Sequence, residues 1–395
     1  MSASKPSSAV LWLQVWGLAA VQGAIALTWV IYNLYLLQLL TDSGFPKQLA
    51  IGLLILENFL AAVMEPLMGG FSDRVQHWIG SRLPLISVGV VLASALFISI
   101  PVTFTLGNLT KAVHWVLPSV LVTWSLAMAI FRSPTLSLLG RYALATNLPQ
   151  AASILTIMGT LIGATAILAN QFILSLGPII AFFVGSLTLL GSAMVLRFVH
   201  PQSHVNSSAA VIATHHSLSL LRLGLIFGVG LGVTLGFSLM KHVFGLLPQF
   251  KAPLFFGMFV LSNVVTAIPA GTLAVRLGNQ RAMLLGLVVV AGLVSLIGLV
   301  HNSIVAIGVA LLLGAAFSFV ANGTLPFALS MVPAARAGLG TGMYFSGGAV
   351  AISLFTVALG QSLLTTPIVT VFAAVVAFLV AGLGVAISRK LQTGT

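Results

Sequence analysis

The chain has 395 residues, 59% of them hydrophobic and only 5% charged, against roughly 25% charged in a soluble domain. That excludes a soluble globular protein and leaves a polytopic membrane protein almost from end to end. Sixteen Lys and Arg against four Asp and Glu give a net charge of +12, yet the cations stand singly between apolar runs and form no patch for nucleic acid; with no cysteine, disulfides, thiolate metal sites, iron–sulfur clusters and cysteine nucleophiles are excluded.

In chain order, hydropathy predicts an all-α chain with spans near 12–40, 49–70, 83–106, 113–139, 150–170, 178–199, 221–246, 254–273, 282–300, 304–328, 338–361 and 368–388. The first run is too long for a signal-peptide core and lacks a small-residue cleavage site, so it is read as a helix. Twelve spans place both termini on one side. Twelve of the sixteen basic residues fall on that side, leaving Lys47, Lys111, Lys241 and Lys251 on the other. The positive-inside rule then makes the termini cytoplasmic, in an integral protein of the plasma (inner) membrane.

The longest polar stretch, His200 to Ser219, separates spans six and seven. It divides the chain into a six-helix half at 1–199, a cytoplasmic linker at 200–220 and a second six-helix half at 221–395. The histidines His200, His204, His215 and His216 have no accompanying carboxylate, so they are read as part of a solvated linker rather than a metal site. A weak repeat supports the division. Gly69-x-x-x-Asp73-Arg74 before Gly80 and Arg82 recurs 202 residues later as Gly271-x-x-x-Val275-Arg276 before Gly278 and Arg281. Two six-span pseudo-repeats with a solute site between them are a common transporter plan.

All four acidic residues, Asp42, Glu57, Glu65 and Asp73, lie in the first 73 positions, and Glu57 and Glu65 fall inside span two. A carboxylate in hydrocarbon costs at least about 2.5 kcal/mol unless it is protonated, paired or facing water. At 100° per residue Asn58 and Glu65 lie about 20° apart and Glu57 about 80° from Glu65, which predicts one polar side. Burial favours the neutral carboxyl, making Glu65 a candidate proton-binding group. Arg132 of span four lies at a depth similar to that of Glu65, as its partner or as a side chain snorkelling to the headgroups. On span one, Gln22, Trp29 and Asn33 form a stripe suited to a polyol or sugar, or to helix packing. Span seven carries Gly224, Gly228, Gly232 and Gly236 at every fourth position, a ridge for close helix contact.

The segment from Glu65-Pro-Leu-Met-Gly through Ser-Asp73-Arg74, followed by Gly80-Ser-Arg82-Leu-Pro84, resembles the loop between spans two and three of the major facilitator superfamily. Its acidic-Pro-x-Met-Gly start is similar to the glycoside–pentoside–hexuronide cation symporters, and its Ser-Asp-Arg with a later Gly-x-Arg-x-Pro to the plant-type sucrose transporters. Arg132-Ser-Pro134, Asn322 to Pro326 and Gly340-Thr-Gly342-Met-Tyr344-Phe345 resemble the same branch at spans four, ten and eleven. The resemblance implies the twelve-helix major facilitator fold, with coupling-cation binding at Glu65 and Glu57, and Asn58, on the same predicted polar side, is taken with them. It implies a cytoplasmic gate held by Asp73; because a carboxylate is favoured at a helix N-terminus and beside Arg, Arg74, Arg82 and Arg141 are taken with it, Arg141 as its candidate partner. Where the melibiose-type pattern has a further acidic residue, this chain has Ala61, and where it has an acidic sugar ligand, this chain has Arg132, which leaves room for an anionic solute.

The function expected is alternating-access transport of a small solute, a sugar or related polar metabolite, coupled to protons in preference to sodium. Its solute contacts are taken as Gln22, Trp29, Asn33, Arg132 and Asn322. A proton-driven drug or metabolite exporter and a non-transporting assembly factor are the alternatives. The sequence holds no enzyme motif such as His-Glu-x-x-His or Gly-x-Ser-x-Gly. A monomer with no cofactor or metal, partnered by solute, proton and lipid bilayer, is expected.

Overall fold

The computed structural model describes residues 10–107, 115–200, 219–247, 252–300 and 302–393. Twelve of its helices are long and apolar enough to cross a bilayer: α1 (Trp12–Asp42), α2 (Lys47–Ile79), α3 (Leu83–Gly107), α4 (Val116–Leu136), α5 (Leu148–Leu168), α6 (Gly177–Val199), α7 (Leu220–Leu246), α8 (Ala252–Leu277), α9 (Asn279–Leu296), α10 (Ser303–Ser330), α11 (Ala337–Gly360) and α12 (Pro367–Thr393). Helices are what an apolar chain must form in lipid, because every backbone N–H and C=O then bonds within its own segment. A short extended contact ties Val10 to Ala143, with the Leu11 N–H donating to the Tyr142 carbonyl at 2.7 Å.

The largest departure from the hydropathy reading is α2. It was expected to end near residue 70, yet it runs to Ile79 and stops at Gly80, whose φ of 78° is left-handed and whose N–H caps the helix on the Gln76 carbonyl. Ser72 and Asp73 are therefore helical and buried, not part of a polar loop. Its counterpart α8 is likewise followed by a left-handed glycine, Gly278 with a φ of 86°. The chain reverses after each of these glycines, which carries Arg82 back beside α2.

One apolar core gathers residues of α1 to α6 together with Leu325, Leu329 and Ala337 from beyond the linker. A second gathers residues of α7 to α12 together with Ala164 of α5. Between these cores the main seams are α2 against α11, and α5 against α8 and α10. The α2–α11 seam is backbone on backbone. A β-carbon at Gly69 would collide with the Gly338 carbonyl oxygen, and one at Gly342 with the carbonyl oxygen of Glu65. The α7 glycine ridge is used only in part: Gly232 and Gly236 pack on Ala377, Phe378 and Ala381 of α12, while Gly224 and Gly228 meet nothing within 4 Å among the described residues.

Gly69→Val should therefore push α2 from α11 and raise maleimide labelling of a Ser72→Cys reporter severalfold, in a chain that has no other thiol. Gly52→Ala, with open space at its β-carbon, should leave labelling at the parental level.

Candidate functional site

Helix α2 places Glu57, Ala61, Glu65, Gly69 and Asp73 at four-residue intervals, all buried. The three carboxylates on this stripe each take a different neighbour, because eight residues at 100° leave successive ones about 80° apart.

Asp73 faces the other half of the molecule. Its Oδ1 pairs with Arg82 Nη2 at 2.5 Å and accepts the Gly338 N–H at 2.9 Å, and its Oδ2 accepts the Leu339 N–H at 2.9 Å. Gly338 and Leu339 open α11, so the carboxylate satisfies first-turn N–H groups that have no partner within the helix and sits at the positive end of its dipole. Arg82 in turn donates through Nη1 to Ser137 Oγ at 2.7 Å, beyond the end of α4. Burial pushes the Arg82 guanidinium down from its ordinary value, and the Asp73 charge opposes that push. One carboxylate thus ties α2, the α2–α3 turn, the α4 end and α11 together.

The expected partner Arg141 is not the one used. Arg141 is exposed, and so is Arg74, which lies one residue round the helix from Asp73. The helix running on to Ile79 makes the difference, since the reversal at Gly80 delivers Arg82 to Asp73. Arg141 lies instead near Tyr142, whose hydroxyl meets His200 Nδ1 at 2.6 Å. Burial, with the Arg141 charge, pushes the His200 imidazole below its ordinary value. His204, His215 and His216, with most of the linker, lie outside the described residues.

Glu65 faces α4. Its Oε1 accepts from Arg132 Nε at 2.7 Å and pairs with Nη2 at 2.5 Å, while its Oε2 accepts from the Ser133 hydroxyl. Arg132 thus turns inward to the carboxylate and not out to the headgroups. The Glu65 side chain is 0% exposed and that of Arg132 19%, so only the arginine reaches solvent-sized space. The guanidinium carbon also lies 4.6 Å from the ring centroid of Phe345 on α11, a cation–π contact across the seam.

Glu57 faces α1. Its Oε1 accepts from the Tyr32 hydroxyl, and its Oε2 has no partner among the described residues. Tyr32 stacks on Trp124 at 4.4 Å, and Trp124 on Phe97 at 4.9 Å. Trp29 closes this aromatic cluster edge-on to Trp124 at 5.0 Å.

The remaining sequence candidates stay apart. Asn58 donates to the Leu54 carbonyl of its own helix at 2.7 Å, so it joins no polar side with Glu65. Asn33 is exposed and donates to the Trp29 carbonyl at 2.7 Å. Gln22 lies against Gly159 of α5, away from the aromatic cluster that holds Trp29. Asn322 is buried and donates to the Ala267 carbonyl of α8 at 2.7 Å. Tyr32, Ser133, Ser137, Gly338 and Phe345 are the contacts that sequence reasoning did not assign. Ser133 and Phe345 stood inside the motif stretches, and only the unmet needs of Glu65 and Arg132 pointed at them.

The Major Facilitator Superfamily family model matches residues 18–356. The chain belongs to that superfamily, and the protein is an integral membrane transporter, not an enzyme. No curated protein matches it significantly in sequence. Among solved structures it is similar to a bacterial homologue of the iron transporter ferroportin in an outward-facing state, at TM-score 0.71 and 17% identity over 95% of this chain and 99% of that one. The human organic anion transporter MFSD10 (TETRAN) is similar at TM-score 0.69 and 15% identity, covering 97% and 100%. The proton:xylose symporter XylE bound to 6-bromo-6-deoxy-D-glucose gives TM-score 0.72 and 14% identity, covering 96% and 95%. At these identities the likeness is one of fold.

Asp73→Asn leaves Arg82 buried without its counter-charge, which costs about 3–5 kcal/mol in such settings. The expected outcome is weaker α2–α11 contact at this end with folding retained, read as increased labelling of an Ala337→Cys reporter; unchanged labelling would remove the gate role. For the second pair, Arg132→Gln strands a wholly buried carboxylate and should lower the apparent Tm more than Glu65→Gln, which strands a partly exposed arginine. The double variant should lose less than the two singles together, by at least about 1 kcal/mol of coupling, in a thermal-stability cycle.

Proposed function

We propose that this protein is a proton-coupled secondary transporter of a small polar solute, a sugar or related polar metabolite, and that Glu65 is the group that carries the coupling proton. The observation behind this reading is the placement of Glu65 at the α2–α11 seam. Its carboxylate holds Arg132, Arg132 reaches Phe345 of α11, and the Glu65 carbonyl lies against Gly342 of α11. Adding a proton to Glu65 weakens its hold on Arg132, and a change in Arg132 is felt directly by the opposite half. Alternating access needs such a link between a binding event and the contact of two packed bodies.

A proton suits the site better than sodium. Sodium takes several oxygen ligands, as hard cations do, whereas the groups around the Glu65 carboxylate are the N–H donors of Arg132 and the hydroxyl of Ser133. The Asp73 contact supplies the gate of this reading on the cytoplasmic side. The pseudo-equivalent α5–α8 seam has Val275 in place of the carboxylate and rests on Gly271 against the Pro149 carbonyl, so the gate is asymmetric. The glycoside–pentoside–hexuronide and sucrose-transporter resemblance at Glu65-Pro-x-Met-Gly and Ser-Asp-Arg is consistent with a sugar-like solute, and it is the reason to begin a ligand screen there.

Glu65→Gln keeps the shape and hydrogen bonding of a protonated glutamate but releases no proton. In proteoliposomes it should abolish uphill uptake under an imposed pH gradient while retaining at least a few tenths of parental counterflow, using the compound that most stabilises the purified protein in a screen of sugars, organic acids and amphiphilic cations. Glu57→Gln, whose carboxyl meets α1 and not the seam, should reduce uphill uptake less. If Glu65→Gln still concentrates solute like the parent, coupling resides elsewhere.

A further inference from the structure

We propose that the solute is an anion, whose negative group takes the place of Glu65 on Arg132 when Glu65 binds its proton. This rests on the coupling role of Glu65 given above and names the class of solute that role demands.

The argument is one of charge supply. The chain has four side-chain carboxylates, and none lies beyond residue 73. Asp42 is exposed at the end of α1 remote from Asp73, Glu57 is engaged by Tyr32 on another face of α2, and Asp73 holds Arg82. When Glu65 is protonated, no other side chain can neutralise Arg132. An unmatched guanidinium within a membrane span is expensive. A neutral sugar would offer it hydroxyl oxygens and leave the charge uncompensated. A carboxylate or similar anion restores the charge balance and matches the planar fork.

The geometry allows the exchange. Of the pair, Arg132 keeps 19% of its side-chain surface accessible and Glu65 none, so an incoming group would meet the arginine before the acid. Glu65 occupies Nε and Nη2, which among the described residues leaves Nη1 to receive an incoming oxygen, and the Phe345 ring centroid lies 4.6 Å from the guanidinium carbon to hold it while partners change. The step balances: one proton joins the Glu65 carboxylate, one negative charge arrives on the solute, and the net charge of the site is unchanged. A monoanion would travel with one proton without moving net charge. Linkage makes the effect mutual, so the proton tightens anion binding by the factor by which the anion tightens proton binding.

The test uses the purified full-length protein with three matched probe pairs: lactate and 1,2-propanediol, gluconate and glucitol, succinate and 1,4-butanediol. At least one anion should bind the parent ten times more tightly at pH 5.5 than at pH 8, and its neutral partner should show no such change. Glu65→Gln should bind that anion at both pH values with little pH dependence. Glu65→Gln/Arg132→Gln, which strands no charge, should lose anion binding while keeping its fold by circular dichroism. Neutral partners binding as well as the anions, or no anion binding Glu65→Gln more tightly than its neutral partner does, overturns the proposal. Neither result touches the coupling role, which stands or falls on uphill uptake by Glu65→Gln.

Discussion

A carboxylate removed from water must be given donors or a counter-charge, and this chain has so few carboxylates that the partner of each shapes the architecture around it. Three of the four lie on one buried stripe of α2. Glu57 engages α1, Glu65 engages α4, and Asp73 engages Arg82 and the start of α11. Helix α2 is in this sense the polar axis of an otherwise apolar molecule. Much of what differs between the two halves follows from the second half having no acidic residue at all.

That asymmetry is visible where the halves meet. The α2–α11 seam joins charge, helix N-terminus and bare backbone. The related α5–α8 seam relies on small residues and neutral hydrogen bonds, among them Thr160 to Asn263 at 3.1 Å. Neutral contacts change little with pH or with the charge of a solute. On the proposed reading, the first seam is the one that would respond to proton or solute, and the second the one that would hold the halves in register meanwhile.

The spans were legible because a bilayer demands about 20 apolar residues and the chain supplies such runs. The end of α2 was not, since Ser72, Asp73, Arg74, Gln76 and His77 look like a loop when polarity alone is weighed. The burial of Ser72 and Asp73 depends on α11, far away in sequence. The partner of Asp73 was misjudged for the same reason. With Glu57 and Glu65, the 80° between them reads as one polar side in the sequence, whereas it is wide enough to send the two carboxylates to different helices, and which helices stand there is a matter of packing. Asn33 and Asn58 show the opposite limit, for an amide within a helix can satisfy itself on the carbonyl four residues back and signal nothing.

The glycine contacts of α2 with α11 bear on rates as well as on structure. Side chains that interlock must be lifted over one another before two helices can move, and each such event adds to an activation barrier. At Gly69, Gly338 and Gly342 there is nothing to lift. The surfaces meet as a smooth bearing, and cohesion at the Asp73 end is concentrated in a small set of polar bonds. Separation there is then limited by bond exchange with water and less by mechanical friction, a property suited to the opening and closing that the proposed cycle assigns to this seam.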